Sequence, residues 1–305
     1  MHIQQVGAFD SELLLDVAGL VERAGIHDGV PPFSDELWQT AQKGMTRSVV
    51  SARLAGALIG TGFVAEQGDR LAAELIVDPN CRGKGHGAHL LGELLSSVDD
   101  ELWLWSHDDH PAARTLATRH QLERARELLE LRRATSANAA PLPTLPLPAG
   151  VTLRTFRVGR DEQGWLDVNN AAFSWHPEQG GRTFQDIRSA EASSDFDAAG
   201  FFMAVDNRDQ LLGFNWTKVH PADPSPQPGR AATAIGEIYV LGVSPTARGR
   251  GIGAALAVAS LQYLTDVIGL HVVQLYVEAD NAAAVKLYTK LGFTRHRTQV
   301  AYLRR

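Results

Sequence analysis

The stretch GEIYVLGVSPTARGRGIGAALAVASL, Gly236 to Leu261, decides how the rest of the chain is read. An apolar, β-branched run ends at Val243-Ser244-Pro245. A short polar stretch follows, then Arg248-Gly249-Arg250-Gly251-Ile252-Gly253, then apolar residues at helical spacing. The order is strand, glycine-rich turn, helix. Glycines let a backbone approach a ligand closely, and the first amides of a helix have no internal partner. A helix N-terminus also carries partial positive charge, so this turn suits an anion such as a pyrophosphate. It has neither the Gly-Lys-Ser/Thr ending of a nucleotide-triphosphate loop nor the Gly-x-Gly-x-x-Gly spacing of a dinucleotide fold.

The pattern occurs twice. Ala72 to Leu95 reads AAELIVDPNCRGKGHGAHLLGELL, with Arg82-Gly83-Lys84-Gly85-His86-Gly87 in the same place. Pro79 to Pro245 and Arg82 to Arg248 share one offset of 166 positions, which points to duplication of one domain. Between the copies lies PLPTLPLPAG, Pro141 to Gly150, whose four prolines exclude a helix or a central strand. The expected organisation is a first domain over 1–140, a linker over 141–150 and a second domain over 151–305. The length of 305 residues suits two domains.

In the second half the patterning predicts strands over Val151–Arg157, Glu237–Val243, His271–Val277 and Gln299–Leu303. It predicts helices over Asp161–Phe173, Gly251–Leu264 and Asn281–Leu291, and a hairpin from Gly200–Val205 to Gln210–Val219. This is a mixed α/β (α+β) fold.

Bulk properties narrow the function. The formal net charge of −6 argues against a nucleic-acid binder. No apolar run approaches the ~20 residues that span a bilayer, and the N-terminus lacks the pattern of a secretory signal. A cytoplasmic protein with no membrane partner is expected. The single cysteine, Cys81, can form no internal disulfide and has no His and acid pattern around it. His86 with His89, and His107 with Asp108, Asp109 and His110, lack zinc-motif spacing, so no metal is expected.

A second motif decides the class. Asn281-Ala282-Ala283-Ala284-Val285-Lys286-Leu287-Tyr288, followed by Leu291-Gly292-Phe293, stands about 30 residues after the glycine-rich turn. Together the two resemble the acetyl-CoA-binding motifs of the GNAT acetyltransferase superfamily, and the chain looks like a tandem pair of such domains. The resemblance implies that Leu241, Gly242, Val243, Arg248, Gly249, Arg250, Gly251, Ile252, Gly253 and Ala254 hold acetyl-CoA. Asn281, Ala282, Ala283, Ala284, Val285 and Lys286 would lie along its arm. In the first half Leu75, Ile76, Val77, Arg82, Gly83, Lys84, Gly85, His86 and Gly87 would form a second cradle.

The resemblance also assigns roles. Glu237 would take the proton from the acceptor amine, since a half-buried carboxylate suits that task. Backbone amides of Leu241 to Val243 would polarise the thioester carbonyl where the strands splay. Tyr288 would protonate the leaving thiolate. At the 166 offset Glu237 falls on Leu71. Aligning HPAARTLATRHQL, His110 to Leu122, with the second motif pairs Asn281 with His110, Tyr288 with Ala117 and Gly292-Phe293 with Gln121-Leu122. The first half would therefore bind cofactor and catalyse poorly or not at all.

Val168–Phe173, His176–Gly181, Gly213–His220 and Tyr239–Val243 are similar to a tandem branch of the superfamily that acetylates the amine of a cysteinyl glucosaminyl inositol. The likeness implies substrate contacts from Glu178, Lys218, Glu237 and Tyr276, with Asp35 or Glu36 reaching from the first half. Trp175 and Trp216 would floor the cleft or pack in the core. A monomer acting on a small-molecule amine is expected. Another small amine, a peptide N-terminus, or a role as an acetyl-CoA-responsive binding protein stay open on the residues alone.

Overall fold

The computed structural model describes residues 1–135, 141–175, 179–222 and 233–305. The chain runs β1 (His2–Val6), α1 (Ser11–Asp28), α2 (Asp35–Gln42), β2 (Thr46–Leu54), β3 (Ala57–Gln67), β4 (Arg70–Val77), α3 (His86–Ser96), β5 (Leu102–Ser106), α4 (Pro111–Arg119) and β6 (Glu123–Ala134). It continues with β7 (Val151–Thr155), α5 (Glu162–Ala172), α6 (Phe184–Glu191), β8 (Phe201–Asp206), β9 (Leu211–His220), β10 (Ile235–Val243), α7 (Ile252–Gln262), β11 (Val272–Glu278), α8 (Ala282–Lys290) and β12 (Thr294–Arg304). The expected elements of the second half are all present, and α6 is an addition. Its start is fixed by a capping box between Thr183 and Asp186, and its eight residues carry only two large apolar side chains, Phe184 and Ile187.

The structure divides into two compact units. One is Met1–Leu129 with Arg297–Arg305, and the other is Glu130–His296. The proline-rich segment is free of helix and strand, as its prolines require. The units do not part there, however. The end of β6 belongs to the second unit and most of β12 to the first. Strand exchange of this kind leaves no mark in local sequence, because each strand keeps the same alternation whichever sheet receives it.

In the first unit the strand order is β1-β2-β3-β4-β5-β12. All pairings are antiparallel except β4 with β5. One face packs under α1 and α2 through Val17, Leu20, Leu37 and Phe63. The other packs under α3 and α4 through Leu90, Leu94, Leu102 and Val300. The second unit has the order β6-β11-β10-β9-β8-β7. Its α5 and α6 face is aromatic, with Trp165, Phe201, Phe214 and Trp216. Ile252 and Leu256 of α7 cover the opposite side with Ala204.

The repeat is exact in its local geometry at the glycine-rich turns. A 3-10 turn covers Pro79–Cys81 in one unit and Pro245–Ala247 in the other, and α3 and α7 start and stop at the same 166 offset. Gly83 and Gly85 have φ of +74° and +84°, and Gly249 and Gly251 have +76° and +85°. Those left-handed values explain why glycine stands at both places in both copies.

Candidate active site

Strands β10 and β11 run parallel only from Gly236↔Val273 to Ile238↔Leu275. Both then continue, β10 to Val243 and β11 to Glu278, without pairing further. Leu241, Gly242 and Val243 stay bonded to β9 on one edge, while their other edge has no strand partner among the described residues. Unpaired backbone amides seek an acceptor, and a carbonyl oxygen entering this gap would supply one. Tyr276 lies on β11 just beyond the last pair and is partly exposed. The β9–β10 ladder has a bulge between Ile238 and Val240. A bulge re-aims the residues beside it, here at the base of the gap.

Glu237 precedes that bulge. It is buried, and its Oε2 meets His220 Nε2 from the end of β9. The residue opposite Glu237 in register is Lys218. The Lys218 ammonium lies 4.1 Å from the centre of the Tyr239 ring and 3.6 Å from Asp195. One corner of the sheet thus gathers a carboxylate, an imidazole, an ammonium and a phenol ring. The motifs singled out Glu237 and Lys218. They missed His220, although its place two residues after Lys218 puts both side chains on one face. The bond with Glu237 raises the His220 pKa, against partial burial.

The cradle lies at the other end of the gap. Gly251 precedes the first turn of α7, whose amides belong to Ile252, Gly253 and Ala254. A Cβ at Gly249 or Gly251 would meet no atom within 4 Å, so the approach to these amides is open. Arg248 does not face this space as a free cation. Its guanidinium donates to the carbonyl of Ala172, 3.1 Å away, and ties the turn to the end of α5. Arg82 does the corresponding work in the first unit, with a bidentate pair to Asp28 at 2.6 and 2.8 Å and a bond to the Val77 carbonyl. Lys84 reaches back to the Asn80 carbonyl at 3.1 Å. The arginine that opens each motif shapes the turn, and backbone amides present the positive charge.

On α8 the Asn281 side chain accepts from the Ala284 amide at 3.2 Å and caps the helix. Ala282, Ala283 and Lys286 are exposed, and Ala284 and Val285 partly so. Tyr288 is buried against Phe293, with ring centres 5.7 Å apart, and burial raises its pKa.

The first unit holds a cavity of about 650 Å³. It is bounded by Leu75, Ile76 and Val77, by Arg82, Gly83, Gly85, His86 and Gly87, and by Ala117. His107 lines it too, as does Tyr302 from β12. The structure corrects the alignment of this half in one place. The last β4–β5 pair is Ala73↔Leu104 and the last β10–β11 pair is Ile238↔Leu275, so Glu237 corresponds to Ala72 and not to Leu71. The bulge in β10, absent from β4, adds the extra residue. A buried carboxylate also exists here that the alignment did not reveal. Glu74 sits 2.6 Å from His107 Nε2, and both its oxygens accept from the Ser34 amide at 3.1 Å.

Glu36 belongs to α2 of the first unit, where its carboxylate accepts from Gln67 at 3.3 Å. The Asp35 side chain and Glu178 lie outside the described residues. Trp216 is a core residue stacked on Phe201 at 4.9 Å, and Trp175 is exposed. Among the described residues no group of His, Cys, Asp and Glu is arranged to hold a metal. No helix among them is long and apolar enough to cross a membrane.

In each unit a glycine-rich turn leads into a helix, and the second unit adds an open strand gap with a buried carboxylate at its base and a capped helix carrying a buried phenol, on a mixed α/β fold present twice. The chain belongs to the acetyltransferase (GNAT) family, whose model matches residues 22–121 and again 165–293. It is 46% identical to the mycothiol acetyltransferase of Paenarthrobacter aurescens (strain TC1) over 97% of this chain and 94% of that protein. It is 43% identical to the mycothiol acetyltransferase of Parafrankia sp. (strain EAN1pec) over 97% of this chain and 95% of the relative. Among solved structures it is similar to a GCN5-related N-acetyltransferase from Sphaerobacter thermophilus, with TM-score 0.74 and 22% identity over 99% of this chain and 95% of that one. A tandem GNAT protein from the clavulanic acid biosynthesis pathway shares the fold at TM-score 0.64 and 16% identity, over 99% and 98% of the two chains.

Proposed function

We propose that this chain acetylates the cysteinyl amine of desacetylmycothiol, a cysteinyl glucosaminyl inositol, with acetyl-CoA, giving mycothiol and CoA. The observation that carries the substrate is the likeness to mycothiol acetyltransferases over nearly the whole length of both chains. The open cradle at Gly249–Gly253 and the strand gap beside it fit a pyrophosphate and an extended thioester arm.

Acetyl-CoA supplies the activated acetyl group. The α7 amides and Gly249–Gly251 hold its pyrophosphate, and the exposed first turn of α8, from Asn281 to Lys286, borders its arm. Amides of Leu241–Val243 polarise the carbonyl, an interaction that strengthens as charge develops on oxygen. Glu237 removes the proton from the acceptor amine. Tyr288, kept protonated by burial, gives its proton to the departing sulfur. Lys218, Tyr276 and Glu178 contact the sugar and inositol hydroxyls.

The first half binds acetyl-CoA through Arg82–Gly87 and Leu75–Val77 and does not transfer. Ala72 and Ala117 replace the carboxylate and the phenol. Glu74 does not take the place of Glu237, because both its oxygens accept from the Ser34 amide. The protein works in the cytoplasm as a monomer.

Thiol release from acetyl-CoA, measured with desacetylmycothiol beside an aminoglycoside, a peptide N-terminus and simple amines, tests the reading. Turnover confined to desacetylmycothiol is expected. Equal turnover with the other amines would displace the substrate assignment, and no release with any amine would favour an acetyl-CoA-responsive binding role.

A further inference from the structure

Glu237 and His220 are bonded but differ sharply in their access to water. The carboxylate side chain is 8% exposed and the imidazole 46%. A base buried in this way meets a difficulty after each turnover. The proton it has taken must leave before it can act again, and water reaches it poorly.

The imidazole spans that step. His220 closes β9, opposite Ile235, while Glu237 lies opposite Lys218, so the pair bonds diagonally across the ladder. Three charged groups face the ring: Glu237 from β10, Lys218 from its own strand and Asp195 from the segment before β8. Taking Glu237 as the base, on which this inference rests, we infer that His220 is the positioning residue through which the acceptor's proton leaves the site. The amine N–H bond breaks and its proton goes to the Glu237 carboxylate. The carboxyl O–H then gives its proton to Nε2 of neutral His220. Nδ1–H of the same ring releases a proton to water. The ring is left neutral with its proton on Nε2 and the carboxylate is restored; proton exchange with water, losing Nε2–H and regaining Nδ1–H, returns the starting tautomer, so charge and atoms balance over the cycle.

The experiment uses the full chain with acetyl-CoA and desacetylmycothiol. His220→Gln keeps a hydrogen-bonding side chain beside Glu237 but cannot titrate, and His220→Ala leaves room for free imidazole. For His220→Gln, kcat falls about tenfold or more with KM for acetyl-CoA unchanged. The acidic limb of its pH–rate profile moves to lower pH, because the group with the raised pKa is gone. Added imidazole restores part of kcat in His220→Ala. A His220→Gln enzyme with native kcat and an unmoved acidic limb overturns the relay. Glu237→Gln separates the two readings. If it loses activity while His220→Gln does not, only the relay fails; if it keeps native activity, the base assignment fails and takes the relay with it.

Discussion

Tyr288 and Ala117 occupy the same structural position. Each is buried on the helix that follows the parallel strand, and each carbonyl accepts from the amide five residues on, Phe293 at 3.0 Å and Leu122 at 2.9 Å. Each helix is capped by the side chain just before it, Asn281 accepting from the Ala284 amide in one unit and His110 from the Ala112 amide in the other. Only the side chain differs, so the comparison isolates the phenol. Tyr288→Phe removes one oxygen from a buried ring and is expected to lower kcat about tenfold or more, with the melting temperature nearly unchanged. Ala117→Tyr fills part of the first cavity instead. It should lower the number of acetyl-CoA molecules bound per chain, measured by equilibrium dialysis, and leave kcat at its native value.

Gly85 and Gly251 assign the two cradles separately. Both have left-handed φ and open space around the missing Cβ. An alanine there costs conformational energy, about 1–2 kcal/mol, without a clash. Gly251→Ala should weaken the acetyl-CoA site that supports turnover and raise its KM. Gly85→Ala should weaken binding in the first unit and leave KM as it was. Equal effects of the two on KM would contradict the division of labour.

The corner around Asp161 gives the second unit an acid limit. Burial works against the charge of this carboxylate, but bonds from Arg154 at 2.6 and 2.9 Å, from Arg157 and from the Arg157 amide outweigh it and hold the pKa down. A group whose pKa is lowered on folding stabilises fully above its unfolded value, near 3.8, and loses that contribution as pH falls below it. Asp161→Asn should lower stability at pH 7 by about 2–3 kcal/mol, because Arg154 and Arg157 lose the more buried of their two carboxylate partners and keep only Asp209. The same variant should flatten the fall in melting temperature on acidification below about pH 4.

The elements and both cradles could be read from local patterning, because glycine at positive φ, proline before a 3-10 turn and an Asn cap each have a local cause. The two halves align by one offset around the glycine-rich turns; before the bulge in β10 that offset misplaces the partner of Glu237 by one residue, and the second motif follows its own offset, Asn281 with His110. Side-chain pairings across strands were hidden. Nothing near His220 announces Glu237, seventeen positions on, and nothing near Glu74 announces His107. Arg82 and Arg248 make bonds that their motif does not announce, to Asp28 and to the Ala172 carbonyl, and only the fold shows them.

A chain ending at His296 tests the exchanged strand. It loses Val300 and Tyr302, both buried in the first unit, and leaves β5 without an antiparallel neighbour. Removal of two large core residues costs several kcal/mol, about 2–5 for each. The truncated chain should show early melting of the first unit and loss of its acetyl-CoA binding, followed by differential scanning calorimetry and dialysis. A fragment of residues 1–140 lacks the same strand and is expected to aggregate through its open edge.

The strand that completes the first unit follows the whole of the second unit along the chain. When Met1–Leu129 has been synthesised it still misses one sheet edge and the Tyr302 side chain that lines its cavity. The first unit therefore closes its sheet only after all of the second unit has been made. A lesion in Arg297–Arg305 is felt by the half encoded at the beginning.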